Sequence, residues 1–152
     1  MPPENLKRRN DMKKLTVAIT VDNGMGLAFN KRRQSRDKKL IEDLISVTDK
    51  MIYVSNYSAP LFEDFKDRIA VVDSPINECQ DDACCFLEMA DIADKTDEIE
   101  CIILYRWNRL YPSDTKLTLD LNNGFELVTT DDFVGSSHDR ITREIYKKTV
   151  IM

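Results

Sequence analysis

Leu15 to Asp22 reads LTVAITVD, and five of its eight residues are β-branched. No charge interrupts the run before Asp22. Such a stretch packs well on a pleated surface and reads as a buried first strand. Asn23-Gly24-Met25-Gly26 then breaks it into a loop. The loop continues through Phe29-Asn30 into a basic run, Lys31-Arg32-Arg33-Gln34-Ser35-Arg36-Asp37. From there the period changes. Leu40, Ile41, Leu44 and Ile45 fall on one helical face, with Lys38, Lys39, Glu42 and Asp43 on the other. The spacing predicts a helix over 35–48, with Ser35 as N-cap and Asp37 favoured in the first turn by the helix dipole.

Strand and helix signals alternate through the rest of the first half. Strands are predicted at 51–56, 68–73 and 83–89. A short helix is expected at 58–65, where Pro60 stands near the start and is tolerated. A turn or short helix follows at 74–80, and an acidic loop or helical turn at 91–98. The second half is mostly strand: 101–107, the alternating 116–121 (KLTLDL), 125–129 after the Asn122-Asn123-Gly124 turn signal, and 141–148. A polar loop fills 133–140. The expectation is an α/β fold whose sheet is parallel in the first half, with antiparallel strands at the C-terminal end and helices packed on it. Residues 1–14, with Lys7, Arg8, Arg9, Lys13 and Lys14, read as a basic N-terminal tail, and 15–152 as a single α/β domain.

Composition excludes several classes. The 152 residues carry 22 basic and 27 acidic side chains, a net charge of −5. That balance disfavours broad binding to a phosphate backbone, so RNA is possible as a partner but not favoured. No apolar run approaches the roughly 20 residues of a membrane span. The start, Met1-Pro2-Pro3-Glu4, has no apolar signal core, and a cytoplasmic location is expected. Cys79, Cys84, Cys85 and Cys101 form no CxxC pair and are expected as free thiols. His138 is the one histidine, which excludes a multi-histidine zinc site, and no metal is expected. There is no GxGxxG and no GxxxxGK[ST], so no cofactor is expected on motif grounds.

Three polar segments are candidates for chemistry. The first is Arg32 to Asp37 at a helix start, where free backbone N–H groups attract anions; a solvated basic turn is the plainer reading. The second is Arg106, Trp107, Asn108, Arg109 and Asp114 within Ile103 to Thr115 (ILYRWNRLYPSDT), which holds the only tryptophan and two tyrosines. Guanidiniums beside aromatic faces suit a planar or anionic ligand, and an edge strand with snorkelling arginines is the alternative. The third is Ser136-Ser137-His138-Asp139-Arg140. It contains serine, histidine and aspartate, but neighbours in sequence cannot reach one another as a triad requires, and no GxSxG elbow supports them. Serine-nucleophile chemistry is therefore not expected. The three segments are expected to converge on one cleft. There Arg33, Arg36, Arg106, Trp107, Asn108 and Arg109 bind a small anionic or nucleotide-like ligand, and Asp37 or His138 moves protons. A protein-interaction module, with the arginine-tryptophan strand as its hot spot, remains open.

The order of pieces resembles the dihydrofolate reductases: LTVAITVD, a Gly-Met-Gly loop, Phe29-Asn30 and a helix, and later Asp114-Thr115, Phe125-Glu126-Leu127-Val128 and Ile141 to Tyr146. The resemblance implies that fold, with Asp37 as counterpart of the catalytic carboxylate. It also implies where the chain departs. Leu104 to Asn108 stand where the family has a Gly-Gly-Gly turn for the NADPH pyrophosphate. Ser55-Asn56-Tyr57-Ser58 replace its Gly-Arg-x-Thr phosphate clip. Loss of the NADPH site is the expectation. FNKRRQSRD, ILYRWNRLYPSDT and FVGSSHDRITREIY are also similar to small clostridial-type proteins often labelled ribonuclease Z, which implies RNA processing. The ribonuclease Z enzymes themselves use a histidine-rich two-zinc centre, which this chain does not encode.

Overall fold

The computed structural model describes residues 13–149. The basic arm at Lys7, Arg8 and Arg9 lies outside the described residues. Strand β1 (Leu15–Val21) is buried along its whole length. A seven-stranded sheet forms around it in the order β5-β4-β6-β1-β7-β10-β9. The members are β4 (Met51–Val54), β5 (Ile69–Val71), β6 (Ala83–Leu87), β7 (Ile99–Arg106), β9 (Phe125–Phe133) and β10 (Ile141–Lys148). The first five in space run parallel, and β10 and β9 close the edge antiparallel. The mixed α/β sheet is as the sequence predicts.

Because side chains alternate along a strand, β1 feeds two cores. Leu15, Val17, Ile19 and Val21 face one side, where Cys85, Leu87, Ile102 and Leu104 meet them. Ala18 faces the other, with Cys84, Phe86, Ile103, Tyr105 and Trp107. Helix α1 (Lys38–Val47) covers that second side through Leu40, Ile41 and Leu44. Phe62 comes from a 3₁₀ helix, Ala59–Arg68, and stacks edge-on against Phe86 at 5.3 Å. Adjacent Cys84 and Cys85 thus lie in different cores, and burial pushes the Cys84 thiol up to about 12. All four cysteines are free.

Some elements differ from the predicted ones. Helix α1 starts at Lys38, and its N-cap is Asp37, whose carboxylate accepts from Lys39 N at 2.9 Å. Ser35 is free of that task. The segment at 59–68 is 3₁₀, because Phe62 and Phe65 leave the helical region to reach the core. A short helix α2 (Pro75–Glu78) and a 3₁₀ turn (Ala93–Glu98) fill the ambiguous stretches. KLTLDL is not a strand in the main sheet. Only Thr115–Lys116 pairs, as β8, with β2 (Gly26–Phe29), which also pairs with β3 (Arg32–Arg33) in a small second sheet. The alternation is real for another reason: Leu117 and Leu121 are buried and Leu119 packs beside them over the β1 face.

One cation closes the end of α1. Arg68 Nη2 donates to Thr48 O at 2.6 Å and to Lys50 O at 3.0 Å. Charged donors to backbone carbonyls contribute about 1.5–3 kcal/mol. Arg68→Ala is expected to lower stability by about 2 kcal/mol, measurable by urea unfolding at neutral pH. A change below about 0.5 kcal/mol would show that water replaces the guanidinium without loss.

Candidate functional site

The carboxyl ends of the parallel strands carry a row of polar residues, the place where open α/β sheets bind ligands. Asp22 follows β1, Glu88 follows β6 and Trp107 follows β7. Asp22 is buried and accepts four hydrogen bonds: Gly24 N at 2.8 Å, Gly26 N at 2.7 Å, Gln34 Nε2 at 3.0 Å and Tyr111 N at 3.0 Å. Burial pushes its pKa up, but these donors outweigh that and hold the carboxyl below its ordinary range. The same bonds lash the small sheet over the strand ends.

Asp37 and His138 form the centre. His138 Nδ1 lies 2.9 Å from Asp37 Oδ2, and both side chains are almost fully enclosed. Asp37 also accepts from Ser136 N at 2.8 Å and Ser137 N at 2.7 Å, and from both serine hydroxyls. Burial acts to raise its pKa, yet the bonds from His138, Ser136 and Ser137 prevail and hold it far below the usual carboxylate range. A permanent carboxylate there is acceptor-only, so the imidazole proton sits on Nδ1. Trp107 stacks on the ring at 4.6 Å between centroids and 24° between planes. On the far side, His138 Nε2 is 3.0 Å from Ser35 Oγ and 3.0 Å from Tyr111 Oη.

All three sequence segments therefore meet, through Ser35 and Asp37, Trp107 and Tyr111, and His138. The arginines do not join them as a group. Arg33 is held by Glu88, with Nε–Oε1 at 2.7 Å and Nη2–Oε2 at 3.0 Å, while its guanidinium lies over Tyr57. Ser58 Oγ completes the Glu88 shell at 2.7 Å. Arg106 pairs with Glu144 at 2.8 Å on the sheet face opposite Trp107, because neighbours in a strand point to opposite sides. Asn108 turns the chain at φ 61 and donates to Arg140 O and Thr142 Oγ1. Arg109 is exposed on the following loop. Only Arg36 stands beside Asp37 on open space. The buried Trp107 is also not available as a surface hot spot.

That space is a cleft of about 460 Å³ between α1 and the first 3₁₀ helix. Arg36, Lys38, Ser136 and Ser137 line one wall; Leu61, Glu63 and Asp64 line the other, with Ile41 and Pro60 between them. A narrow extension of about 10 Å³ continues from it towards the strand ends. Ser35, Leu40, Phe86, Glu88 and Trp107 surround that inner space. A separate cleft of about 520 Å³ opens by Phe29, Arg32, Gln34 and Tyr111. Among the described residues, no group of three or more His, Cys, Asp or Glu side chains is arranged to hold a metal ion. Nor, among them, is any helix long and apolar enough to cross a membrane.

Compared with solved structures, the chain superposes on a dihydrofolate reductase from Enterococcus faecalis, a structure complexed with NADP(H) and RAB-propyl. The TM-score is 0.61 over 90% of this chain and 97% of that one, at 10% identity. The fold is dihydrofolate-reductase-like. No family model matches the chain, and no curated protein matches it in sequence. At 10% identity the reductase-like fold carries no activity with it. Within that fold the sequence reading gave no site role to Ser35 and Tyr111, which lie inside its candidate segments, or to Asp22 and Glu88, which lie outside them. A signal existed for two of them: Asp22 and Glu88 each end a run of apolar strand residues, where a carboxylate has no packing reason to be.

Proposed function

We propose that the cleft between α1 and the first 3₁₀ helix binds a small ligand with an apolar or planar body and one anionic group, of nucleotide-like chemistry. The observation that carries this reading is the division of charge across the cleft. Arg36 and Lys38 stand on one wall, flanking the enclosed and fully hydrogen-bonded Asp37 carboxylate, and Glu63 and Asp64 stand on the other. The cations suit a phosphate or carboxylate. The acids suit the amino or ring N–H edge of a base, and Ile41, Pro60 and Leu61 suit the body between. A volume of about 460 Å³ is in the range of small-molecule sites. The buried Asp37–His138 pair at the inner end supplies proton transfer.

NADPH is not the ligand in this reading. In support, Ser58 N and Ala59 N both donate to Ser55 O, which takes two backbone donors of that turn away from a phosphate. Tyr105 is fully buried and Arg106 is paired with Glu144, so bulky, engaged side chains stand at that strand end, which also supports this reading.

Thermal unfolding with mononucleotides, sugar phosphates, inorganic phosphate, NADPH and a short RNA tests the proposal. A ligand at a hundred times its Kd adds about 2.7 kcal/mol. That raises the midpoint of a chain this size by roughly 5 to 10 °C. A mononucleotide or sugar phosphate is expected to produce the shift. The double variant Arg36→Glu, Lys38→Glu is expected to abolish it without changing the unliganded midpoint. A shift from NADPH, or one that survives the double variant, would overturn the assignment.

A further inference from the structure

We propose that Ser35 is a nucleophile towards short-chain carboxylic esters, activated through His138 and held in register by Asp37. The inference rests on the cleft being the ligand site, because the alcohol part of the ester would lie there.

The connectivity is acid, imidazole, hydroxyl. Asp37 Oδ2 lies 2.9 Å from His138 Nδ1, and His138 Nε2 lies 3.0 Å from Ser35 Oγ. This is the arrangement in which a carboxylate fixes the imidazole tautomer and leaves Nε2 to take a serine proton. It differs from the Ser136 to Asp139 run that the sequence offers. Here the serine comes from the loop before α1, the acid from the α1 N-cap, and the histidine from the loop before β10.

Two further observations separate a catalytic array from a merely satisfied buried histidine. First, a single ring nitrogen engages one hydrogen-bond partner along its lone pair or N–H, and Tyr111 Oη already stands at 3.0 Å from Nε2. The Ser35 hydroxyl is therefore surplus to structural need. Second, Ser35 is half-buried and borders the inner space beyond the cleft. That space of about 10 Å³, beside Leu40, Phe86 and Trp107, holds about one water, so the acyl carbonyl would enter it from the adjoining cleft, past Arg36 and Leu61, which border both. Trp107 stacks on the imidazole and stops it from rotating away.

The reaction balances with water alone. Ser35 Oγ bonds to the ester carbonyl carbon while its proton passes to His138 Nε2. The C–O bond to the alcohol breaks, and the leaving oxygen takes that proton. Water then attacks the acyl-serine and gives a proton to Nε2. The carboxylic acid departs and Ser35 Oγ recovers its proton.

The test uses the full chain, p-nitrophenyl acetate and a fluorophosphonate probe. A single covalent adduct is expected by intact mass, mapped by peptide mass to Ser35. Ser35→Ala is expected to cut labelling and p-nitrophenol release by at least about 10³-fold. Tyr111→Phe is expected to raise the labelling rate, since Ser35 no longer competes for Nε2; a purely structural network gives no labelling in either protein. No adduct on folded wild type, or an adduct unaffected by Ser35→Ala, overturns the proposal. A phosphate-dependent thermal shift without an adduct rejects the nucleophile and keeps the ligand cleft. An adduct at Ser35 without any such shift keeps the nucleophile and rejects the anionic ligand.

Discussion

Asp37→Ala is expected to lower the unfolding free energy by about 3–5 kcal/mol, because several buried donors lose their acceptor at once, each at a cost of about 1–3 kcal/mol. The carboxylate bonds to Lys39 N, Ser136 N, Ser137 N and His138 Nδ1. Removing it orphans two backbone donors of the loop before β10 and the imidazole together, and it also uncaps α1 at Lys39 N. The midpoint should fall by roughly 10 °C for a chain of this length. The same group predicts the acid limb. Its folded pKa lies far below the ordinary value, so the unfolded state binds the extra proton. The stabilisation is fully present above the unfolded pKa of about 4 and is lost as pH falls below it. Asp22, also depressed, acts with the same sign. Urea unfolding at pH 7 and in steps down to pH 2 would measure both. Wild type should lose stability steeply below pH 4, and Asp37→Ala more gently. Equal slopes would mean that Asp37 is not the group that titrates.

Gly135→Ala is expected to cost about 2–3 kcal/mol through overpacking, an unusual sum for one methyl group on a surface loop. A Cβ at Gly135 would collide with Asp37 Oδ2 and stand 2.9 Å from Ile141 Cδ1. Neither neighbour can yield. Asp37 is fixed by its donors, and Ile141 is fully buried at the start of β10. The cost comes from space, because Gly135 has no positive φ. Gly135 N also donates to His138 O at 2.9 Å, so any shift of the loop moves the imidazole. Differential scanning calorimetry would register the loss. A variant within 0.5 kcal/mol of wild type would show that the loop relaxes and that the Asp37 cage is soft.

The sheet was legible from sequence because its central strands are written as β-branched, charge-free runs. LTVAITV and ACCFL leave little else to form, and the period of Leu40, Ile41 and Leu44 leaves little but a helix. The second, three-stranded sheet was not legible. Gly26–Phe29, Arg32–Arg33 and Thr115–Lys116 are too short for a period, and Asn30 and Lys31 turn between two of the strands with positive φ. At the site, Asp37, His138 and Trp107 were singled out for their residue types, and the structure sets them in contact. Ser35 was misread because a serine before a helix looks like a cap. Asp37, two residues later, accepts the capping bond instead. The arginines were misread because sequence does not show their partners. Glu88 and Glu144 are 55 and 38 residues away from Arg33 and Arg106, and each neutralises a guanidinium that otherwise looks available.

The strand at the outer rim of the sheet has its own bearing on solubility. β9 is nine residues long and solvent-exposed from Glu126 to Asp132, with Leu127 and Val128 each 48% exposed. Among the described residues no strand pairs with its outer edge, and a rim of that length invites a second copy to dock along it. Antiparallel docking centred on Thr129 would put Glu126 opposite Asp132 and Leu127 opposite Asp131, setting like charges against each other and charge against an aliphatic side chain. The acids thus act as gatekeepers that keep the molecules apart. Their protection depends on ionisation. Neutral substitutions at Glu126, Asp131 and Asp132 would strip that protection from the rim, so such a variant should clump where the wild type stays dispersed.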